Sequence, residues 1–224
     1  MVVFVPGPYL FIQAGSTSNS GGKSFTIFNL YKLKIVVTFA KRDSMKFEDV
    51  LHSGRLWAVV YDGDTQDILS KTFANWLDPG FLEDFFSRNS KDLETYFHIT
   101  NLDVAIYDTI ADAASLSCLI LDIRPNANLD ILFRPLENQR IREMLLSREK
   151  AKGKRQTTHS SWLRLYAIKL DKGIYLITGG AIKLTHLMSE REHTLNELKK
   201  MEMVRNYLLE NGIIDADGIK EETL

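Results

Sequence analysis

The 224-residue chain contains one cysteine, Cys118, and therefore has no partner for an intramolecular disulfide. Cys118 lies inside an apolar helical pattern, where a lone cysteine is usually a core residue rather than a nucleophile. Proteins without disulfides are typical of reducing compartments. We therefore expect a cytoplasmic protein whose fold depends on its hydrophobic core.

The sequence also lacks the short motifs of common metal, hydrolase and dinucleotide sites. It contains no HExxH, CxxC, GxSxG or GxGxxG element. The five histidines are scattered, and the closest pair, His186 and His193, is seven residues apart across a predicted loop. We expect neither a metal nor a cofactor.

Residues 1–44 differ in composition from the rest of the chain. The apolar start is interrupted by Pro6 and Pro8, lacks a basic region and is too short to cross a bilayer, so we expect no signal peptide and no membrane association. Residues 16–22 have the composition of a flexible linker, and residues 33–39 are compatible with one added strand. We predict an N-terminal extension over 1–44 that is not required by the native domain, which begins near Met45.

Charge is distributed unevenly along a chain whose net charge is −1. Residues 45–136 contain 7 basic and 15 acidic side chains, whereas residues 137–172 contain 10 basic and 4 acidic ones. Clustered Lys and Arg side chains neutralise phosphates and release counterions. The basic block predicts binding to a polyanion or an acidic partner; the alternative is a basic surface loop without a ligand.

Two apolar runs, residues 163–170 and 174–184, are separated by turn residues and predict a β-hairpin. Side chains alternate along a strand, so Arg164 and Tyr166 point to the same side. Residues 179–180 are both glycine and predict a bulge or a close approach of another chain segment. Lys183 follows on the second strand. The face that carries Arg164, Tyr166 and Lys183, followed by His186, Arg191 and His193, could hold a phosphate. The alternative is an ordinary solvated surface.

The remaining periodic segments predict helices packed on this hairpin. A strand pattern occurs at residues 56–61, and residues 129–136 are strand-like or irregular. Helix patterns open at Asp78-Pro79, run from a capping box at Thr100 to about Asp122, occupy 137–151, and run from a capping box at Thr194 to Gly212. Gly212 is the predicted C-cap of the last helix, and residues 213–224 are predicted to be a frayed acidic tail. The fold class is therefore α+β, with a small antiparallel sheet and packed helices.

The segment RLYAIKL…GIYLITGGAIKLTHLMSEREHTLNELKKMEMVRNYL resembles the C-terminal half of the RelE/HigB-like toxins, in particular their phage-derived HigB-like branch. In that family an arginine-bearing strand is followed by an apolar strand, a lysine-threonine segment and a helix. The similarity covers roughly residues 55–211 and implies that a RelE-like domain occupies residues 45–212. Leu184 replaces the second lysine of the family segment, and the chain is longer than a typical member.

This resemblance implies the toxin component of a toxin–antitoxin system, a ribosome-associated mRNA endonuclease that works without metal. The RNA 2′-hydroxyl would be the nucleophile, so the site needs proton-transfer groups and cations over the phosphate. The implied catalytic residues are Arg164, Tyr166, Lys183, His186 and His193. The implied RNA-binding residues are Lys150, Lys152, Lys154, Arg155, Lys169 and Arg191.

Each implied residue has a defined role. Arg164 and Lys183 are expected to hold the scissile phosphate, Tyr166 to orient the RNA, and His186 or His193 to move protons. The implied partners are mRNA on the ribosome and a small helix-turn-helix antitoxin. The alternative is a non-catalytic member of the same fold that binds RNA or a protein.

Overall fold

The computed structural model describes residues 11–14, 24–28, 34–38, 45–123, 128–136, 148–151 and 159–223. These residues belong to two compact units, Met1–Ser44 and Met45–Leu224. The division falls between residues 44 and 45, where the composition of the sequence changes.

The first unit contains an antiparallel sheet of three described strands, in the order β1-β2-β3. They are β1 (Phe11–Ala14), β2 (Ser24–Phe28) and β3 (Lys34–Thr38). The sequence predicted only the strand that became β3. β2 has the alternation of polar and apolar residues that is typical of a strand, in SFTIF. The predicted N-terminal extension therefore contains two described strands besides the predicted one.

The second unit contains strands and helices from Lys46 to Thr223. Its described strands are β4 (Lys46–Asp49), β5 (Leu56–Val60), β6 (Phe133–Pro135), β7 (Arg148–Ala151), β8 (Leu163–Asp171) and β9 (Ile174–Ile182). Its described helices are α1 (Ile68–Leu77), α2 (Pro79–Arg88), α3 (Ser90–Phe97), α4 (Leu102–Leu121), α5 (Glu192–Glu210) and α6 (Ala216–Thr223). Short 3-10 helices lie at Leu129–Ile131 and Met188–Glu190.

The six strands form one mixed sheet in the order β4-β5-β9-β8-β7-β6. The α+β class is as predicted, but the sheet is larger than expected and not purely antiparallel. β5 pairs with β9 in parallel, with Leu56 opposite Tyr175. A parallel pair requires a long crossover connection, here including α1 to α4, and such long-range pairing leaves no local signal in the sequence.

The predicted hairpin is confirmed and forms the centre of the sheet. β8 and β9 pair antiparallel, and Gly173 in the turn has φ of +70°, a conformation that favours glycine. The pairing shifts between Tyr166 and Ala167, which leaves Thr178 as an extra residue next to Gly179. The predicted irregularity at the glycine pair is therefore a β-bulge.

Helices cover both faces of this sheet. Leu163, Leu165 and Ala167 belong to the core cluster that contains buried residues of α1 to α4. Ile168 and Leu170 belong to a second cluster with buried residues of α5 and α6. Side chains from Leu163 to Leu170 point alternately to opposite faces without interruption, because the bulge lies on β9. The hairpin is accordingly buried on both sides.

Side chains cap the N-termini of α2 and α4. The carboxylate of Asp78 accepts a hydrogen bond from the backbone N–H of Gly80 at 2.9 Å, and Pro79 is the first residue of α2. The side chain of Asn101 likewise accepts from Asp103 N at 2.9 Å, so the N-cap of α4 lies one residue after Thr100, the first residue of the predicted capping box.

α4 is long and apolar enough to cross a membrane by length and composition, with a mean hydropathy of 1.6. That test is also passed by core helices of water-soluble domains. One face of α4 packs into the core, where Trp162 Nε1 donates to Thr109 Oγ1 at 2.9 Å.

Two predicted boundaries were wrong. Residues 148–151 are strand β7 rather than the end of a helix, because pairing with β8 overrides the local pattern. Residues 137–147, where that helix was predicted to begin, lie outside the described residues. α5 begins at Glu192 rather than after Thr194, because the Thr194 hydroxyl donates to Met188 O and Arg191 O instead of capping the helix.

The end of the chain also differs from its prediction. Residues 213–224 were expected to be a frayed acidic tail, yet they contain α6. Ile213 is 3% exposed and Ile219 is fully buried against the cluster that includes Val204 and Leu208. The acidic composition of the segment drew attention away from Ile213 and Ile219, the two apolar residues that pack it against α5. Asn211 is the C-cap of α5, and Gly212, the glycine predicted for that position, follows it with φ of +72°.

Candidate functional site

Three basic side chains share one face of the sheet where β7, β8 and β9 lie side by side. Lys150 on β7 is directly opposite Tyr166 on β8, and Arg164 on β8 is opposite Ala181 on β9. Lys183 follows Ala181 by two residues, and its N–H donates to Trp162 O at 2.8 Å, which extends the ladder. Directly opposite residues, and residues two apart on a strand, point to the same face.

Lys150, Arg164 and Lys183 are here called the cation cluster. Arg164 is the diagonal neighbour of both lysines, a relationship that places Cα atoms about 7–8 Å apart. All three side chains are half-buried. The sequence predicted Arg164 and Lys183 as a pair, and the structure places Lys150 with them.

Main-chain carbonyl oxygens hold the three cations in place. Arg164 Nη1 donates to Ser161 O and Leu163 O, both at 2.7 Å. Lys183 Nζ donates to Thr185 O at 2.6 Å and to His186 O at 2.5 Å. These bonds fix the positions of the charged groups without neutralising them.

Lys150 is held in the same way, since its Nζ donates to Leu136 O at 2.9 Å. An arginine carries five N–H donors and a lysine three. In the part of the chain that the structure describes, three donors therefore remain on Arg164, two on Lys150 and one on Lys183. Those donors are available to an anion.

The electrostatic environment of the cluster reflects its unbalanced positive charge. Burial lowers the pKa of Lys150, and the positive charge of Arg164 lowers it further. Burial also lowers the pKa of Lys183, as do Arg164 and Lys150, while Glu190 acts in the opposite direction. Burial lowers the pKa of Arg164 as well. An anion bound here would relieve the repulsion among the three cations.

None of the ion pairs between described residues involves a member of the cation cluster. Glu190 acts on Lys183 electrostatically, but its Oε1 accepts from Leu187 N at 2.8 Å. The arrangement therefore differs from an ordinary surface, where lysines and arginines are usually interspersed with carboxylates.

Tyr166 is not accessible for the RNA-orienting role predicted from the sequence. Its side chain is fully buried in a small cluster with Ala181 and Met201 of α5. Stacking on a nucleotide base requires an exposed ring face, so that prediction is corrected. Among the described residues the Tyr166 hydroxyl has no hydrogen-bond partner, and burial raises its pKa.

The two predicted proton-transfer histidines make contacts away from the cluster. His193 Nε2 donates to Ile182 O at 3.0 Å, and the ring packs edge-on against Phe85 with 5.2 Å between centroids. The exposed His186 ring packs edge-on against Tyr96, at 5.1 Å. The structure thus assigns both rings packing roles, and only the carbonyl of His186 contacts the cluster, through Lys183.

Two of the predicted RNA-binding residues are already paired with carboxylates. Lys169 Nζ lies 3.0 Å from Asp130 Oδ1. Arg191 binds Asp92 through two nitrogens, Nε at 2.6 Å and Nη2 at 2.5 Å, and this interaction raises the pKa of Arg191. They differ in this respect from the cation cluster. The remaining predicted residues, Lys152, Lys154 and Arg155, lie outside the described residues.

Sequence reasoning missed a buried carboxyl on the same face as Tyr166. Glu197 on α5 lies against Gly179, which is opposite Tyr166, and its Oε1 pairs with Lys200 Nζ at 2.6 Å. Its Oε2 has no hydrogen-bond partner among the described residues, and burial raises its pKa. The available signal was its spacing, because Glu197 precedes Met201 by four residues in the buried stripe of α5.

The described residues contain no group of three or more His, Cys, Asp or Glu side chains arranged to hold a metal ion. No family model matches the chain, and no curated protein or solved structure is significantly similar to it. The cation cluster is therefore the feature of the described residues that points to a function.

Proposed function

We propose that this protein binds RNA through its phosphate backbone, with the cation cluster as the main contact. The observation that supports this proposal is the convergence of Lys150, Arg164 and Lys183 on one sheet face without a carboxylate partner among the described residues. Fixed, unneutralised cations of this kind favour phosphate, and charge-assisted hydrogen bonds from Arg are well suited to its geometry.

The charge around the cluster favours an extended polyanion over a single phosphate ion. The block from residue 137 to 172 contains 10 basic and 4 acidic side chains, so positive charge continues along the chain on both sides of Lys150. Contacts of this type supply affinity that does not depend on base sequence. The choice of RNA over DNA comes from the resemblance to RelE/HigB-like toxins.

A second candidate is the catalytic function of those toxins, a metal-independent mRNA endonuclease acting on the ribosome. It is favoured by the position of Arg164 and Lys183, the two residues that match the family pattern, as neighbours on one face. A small helix-turn-helix antitoxin and a cytoplasmic location belong to this candidate. The His186 ring packs against Tyr96, and His193 Nε2 donates to Ile182 O, which favours the non-catalytic alternative.

The binding proposal is tested with a fluorescent single-stranded RNA of about 20 nucleotides, titrated at several salt concentrations. We expect Arg164→Gln, Lys183→Gln and Lys150→Gln each to weaken binding and to reduce the salt slope by about 0.7, the value for one phosphate contact on a single strand. Lys169→Gln is the matched control, because Lys169 is already paired with Asp130. Equal affinity in all four variants would reject the site.

The catalytic candidate is tested by ribosome-dependent mRNA cleavage in the presence of a chelator. If it is correct, Arg164→Ala and Lys183→Ala should each lower the rate roughly a hundred- to a thousand-fold, as for loss of one charge-stabilising donor. Lys154→Ala should mainly change affinity. RNA binding without cleavage by the wild type would reject the endonuclease and leave the binding proposal intact.

A further inference from the structure

α4 exposes apolar side chains on the face opposite the core. Its buried residues are Ala105, Thr109, Asp112, Ala113, Leu116 and Ile120. Along the other side Tyr107 is 73% exposed, Leu121 56% and Val104 45%. Single exposed apolar residues are common, but a row of them along one helix indicates an interaction surface.

The exposed row has a regular spacing. Its members follow one another at alternating intervals of three and four residues: Val104, Tyr107, Ala111, Ala114, Cys118 and Leu121. We call this set the α4 stripe. An apolar repeat of 3.5 residues is the pattern by which two helices pair side by side. The stripe is about 26 Å long, at 1.5 Å per helical residue.

The shape of the stripe restricts what fits on it. Its two central members, Ala111 and Ala114, are small, whereas Tyr107 and Leu121 near its ends are large. Knobs of a partner helix insert into holes between side chains of the facing helix. A complementary helix therefore places large apolar residues at its centre.

The exposed charges at the two ends of the α4 stripe are carboxylates. Residues 102–121 contain no Lys or Arg. Exposed Asp103 lies at one end of the stripe and exposed Asp122 at the other. A partner with Lys or Arg beside its apolar seam would complement these carboxylates.

The same charges disfavour two other occupants. In an antiparallel pair of two copies, Asp103 of each would approach Asp122 of the other, and like charges repel. A membrane-surface helix normally carries Lys and Arg that are attracted to anionic lipids, whereas α4 carries only carboxylates.

We propose that the α4 stripe is the docking site for an amphipathic helix of a protein partner, with a central apolar seam flanked by Lys or Arg. The seam buries Val104, Tyr107 and Leu121, and the basic flanks pair with Asp103 and Asp122. This inference does not depend on the cation cluster or on RNA binding.

Two synthetic 21-residue helical peptides test the proposal with the full-length chain. Both have leucine at seam positions, one with lysine and the other with glutamate at the flanking positions. Calorimetric titration should show binding of the lysine peptide and at least about tenfold weaker binding of the glutamate peptide, a difference of about 1.4 kcal/mol. Equal binding of both would overturn the proposal.

Variants locate the bound peptide. Tyr107→Ser and Leu121→Ser should each weaken binding of the lysine peptide about tenfold or more, and Asp122→Lys should weaken it and lower its salt dependence. Ile131→Ser is the matched control, because Ile131 is 70% exposed but lies outside α4. Circular dichroism melts verify that each variant is folded. Equal loss in the control, or no loss in the stripe variants, would overturn the assignment.

The single cysteine gives an independent readout within the stripe. Cys118 is exposed and not the core residue that the sequence predicted, so alkylation of the full-length chain alone should be fast, and the lysine peptide should slow it. Slow alkylation without peptide would show that the chain itself covers the stripe. A dimer in sedimentation experiments would assign the stripe to a second copy of the chain. Binding of the full-length chain to neutral vesicles, if Tyr107→Ser abolishes it, would assign the stripe to a membrane. Each of these three results would overturn the proposal.

Discussion

The carboxyl group of Glu197 occupies the space above Gly179 where any other residue would place its Cβ atom. On the opposite side of β9, a Cβ on Gly180 would lie 2.7 Å from Thr72 Cγ2 and 3.0 Å from Trp76 Cζ2. α5 and α1 thus approach one strand from both faces at adjacent residues. The glycine pair is required by this close approach, since neither glycine has a positive φ.

The first prediction is that Gly180→Ala lowers the free energy of unfolding by about 1–3 kcal/mol, the usual cost of overpacking a core. Urea denaturation measures the change. Adding Thr72→Ser, which removes Cγ2, should recover part of the loss. Gly80→Ala in the first turn of α2 is the control and should be neutral or slightly stabilising, because its nearest neighbour would be 3.4 Å away. A fully stable Gly180→Ala protein would contradict the packing described.

The second prediction concerns the pH dependence conferred by Glu197. Burial raises the pKa of Glu197 in the folded protein. The favourable contribution of its neutral form is fully present below the unfolded-state pKa, about 4.3, and is lost as the pH rises through the folded-state pKa. Glu197→Gln keeps a neutral group at all pH values. Its stability relative to wild type should therefore increase from pH 4 upward.

Chemical denaturation between pH 4 and 8 gives this difference directly. Glu202→Gln is the matched control, because Glu202 lies on the same helix with 47% of its side chain exposed. We expect its difference from wild type to vary much less with pH. A Glu197→Gln difference that stays constant over the range would show that the Lys200 ion pair fully compensates the burial.

Features determined by neighbouring residues were predictable from the sequence. The hairpin, α4 and the turn at Gly212 depend on local periodicity and turn chemistry. The parallel pairing of β5 with β9 and the strand conformation of residues 148–151 depend on distant partners, and propensity did not reveal them.

In the candidate site too, the sequence predicted what depends on nearby residues and missed what depends on distant ones. Arg164 and Lys183 were predicted as a pair because they lie on adjacent strands of one hairpin. Lys150 was placed on a helix, and its position opposite Tyr166 follows only from the pairing of β7 with β8. The burial of Tyr166 was missed because the packing of α5 over that face is a tertiary property.

The third prediction is that α6 contributes to stability. Ile219 is fully buried, so Ile219→Ala should cost about 2–5 kcal/mol in the free energy of unfolding. Ile214 is 43% exposed, and Ile214→Ala should change stability by less than about 0.5 kcal/mol. Similar small effects of both substitutions on the denaturation midpoint would show that the segment is frayed, as its acidic composition suggested.

The fourth prediction is that a chain starting at Met45 folds. The six-stranded sheet contains no strand from residues 1–44, and Met45–Leu224 forms a compact unit of its own. We expect a soluble protein with a cooperative thermal transition. A chain starting at Arg55 is the control, because it also loses β4 and the buried Phe47. Insolubility of the longer chain, or a fall of tens of degrees in its Tm, would contradict the prediction.

The fifth prediction links the lowered lysine pKa values to binding. Burial and the positive charge of Arg164 lower the pKa of both Lys150 and Lys183, so these groups lose protons at a lower pH than exposed lysines do. A bound phosphate favours the protonated forms and raises these pKa values. Affinity for a single-stranded oligonucleotide should therefore fall as the pH rises from 7 toward 9.5.

The double variant Lys150→Arg/Lys183→Arg separates charge from geometry. Arginine stays protonated throughout this range, so the variant should keep its charge and show a flatter pH profile than wild type. Fluorescence anisotropy at constant ionic strength measures both profiles, with a DNA oligonucleotide because RNA hydrolyses in alkali. Contacts to the phosphates do not depend on the sugar, so a DNA oligonucleotide tests the same contacts as RNA. Identical profiles for the two proteins would contradict the prediction that deprotonation of Lys150 and Lys183 weakens binding in this range.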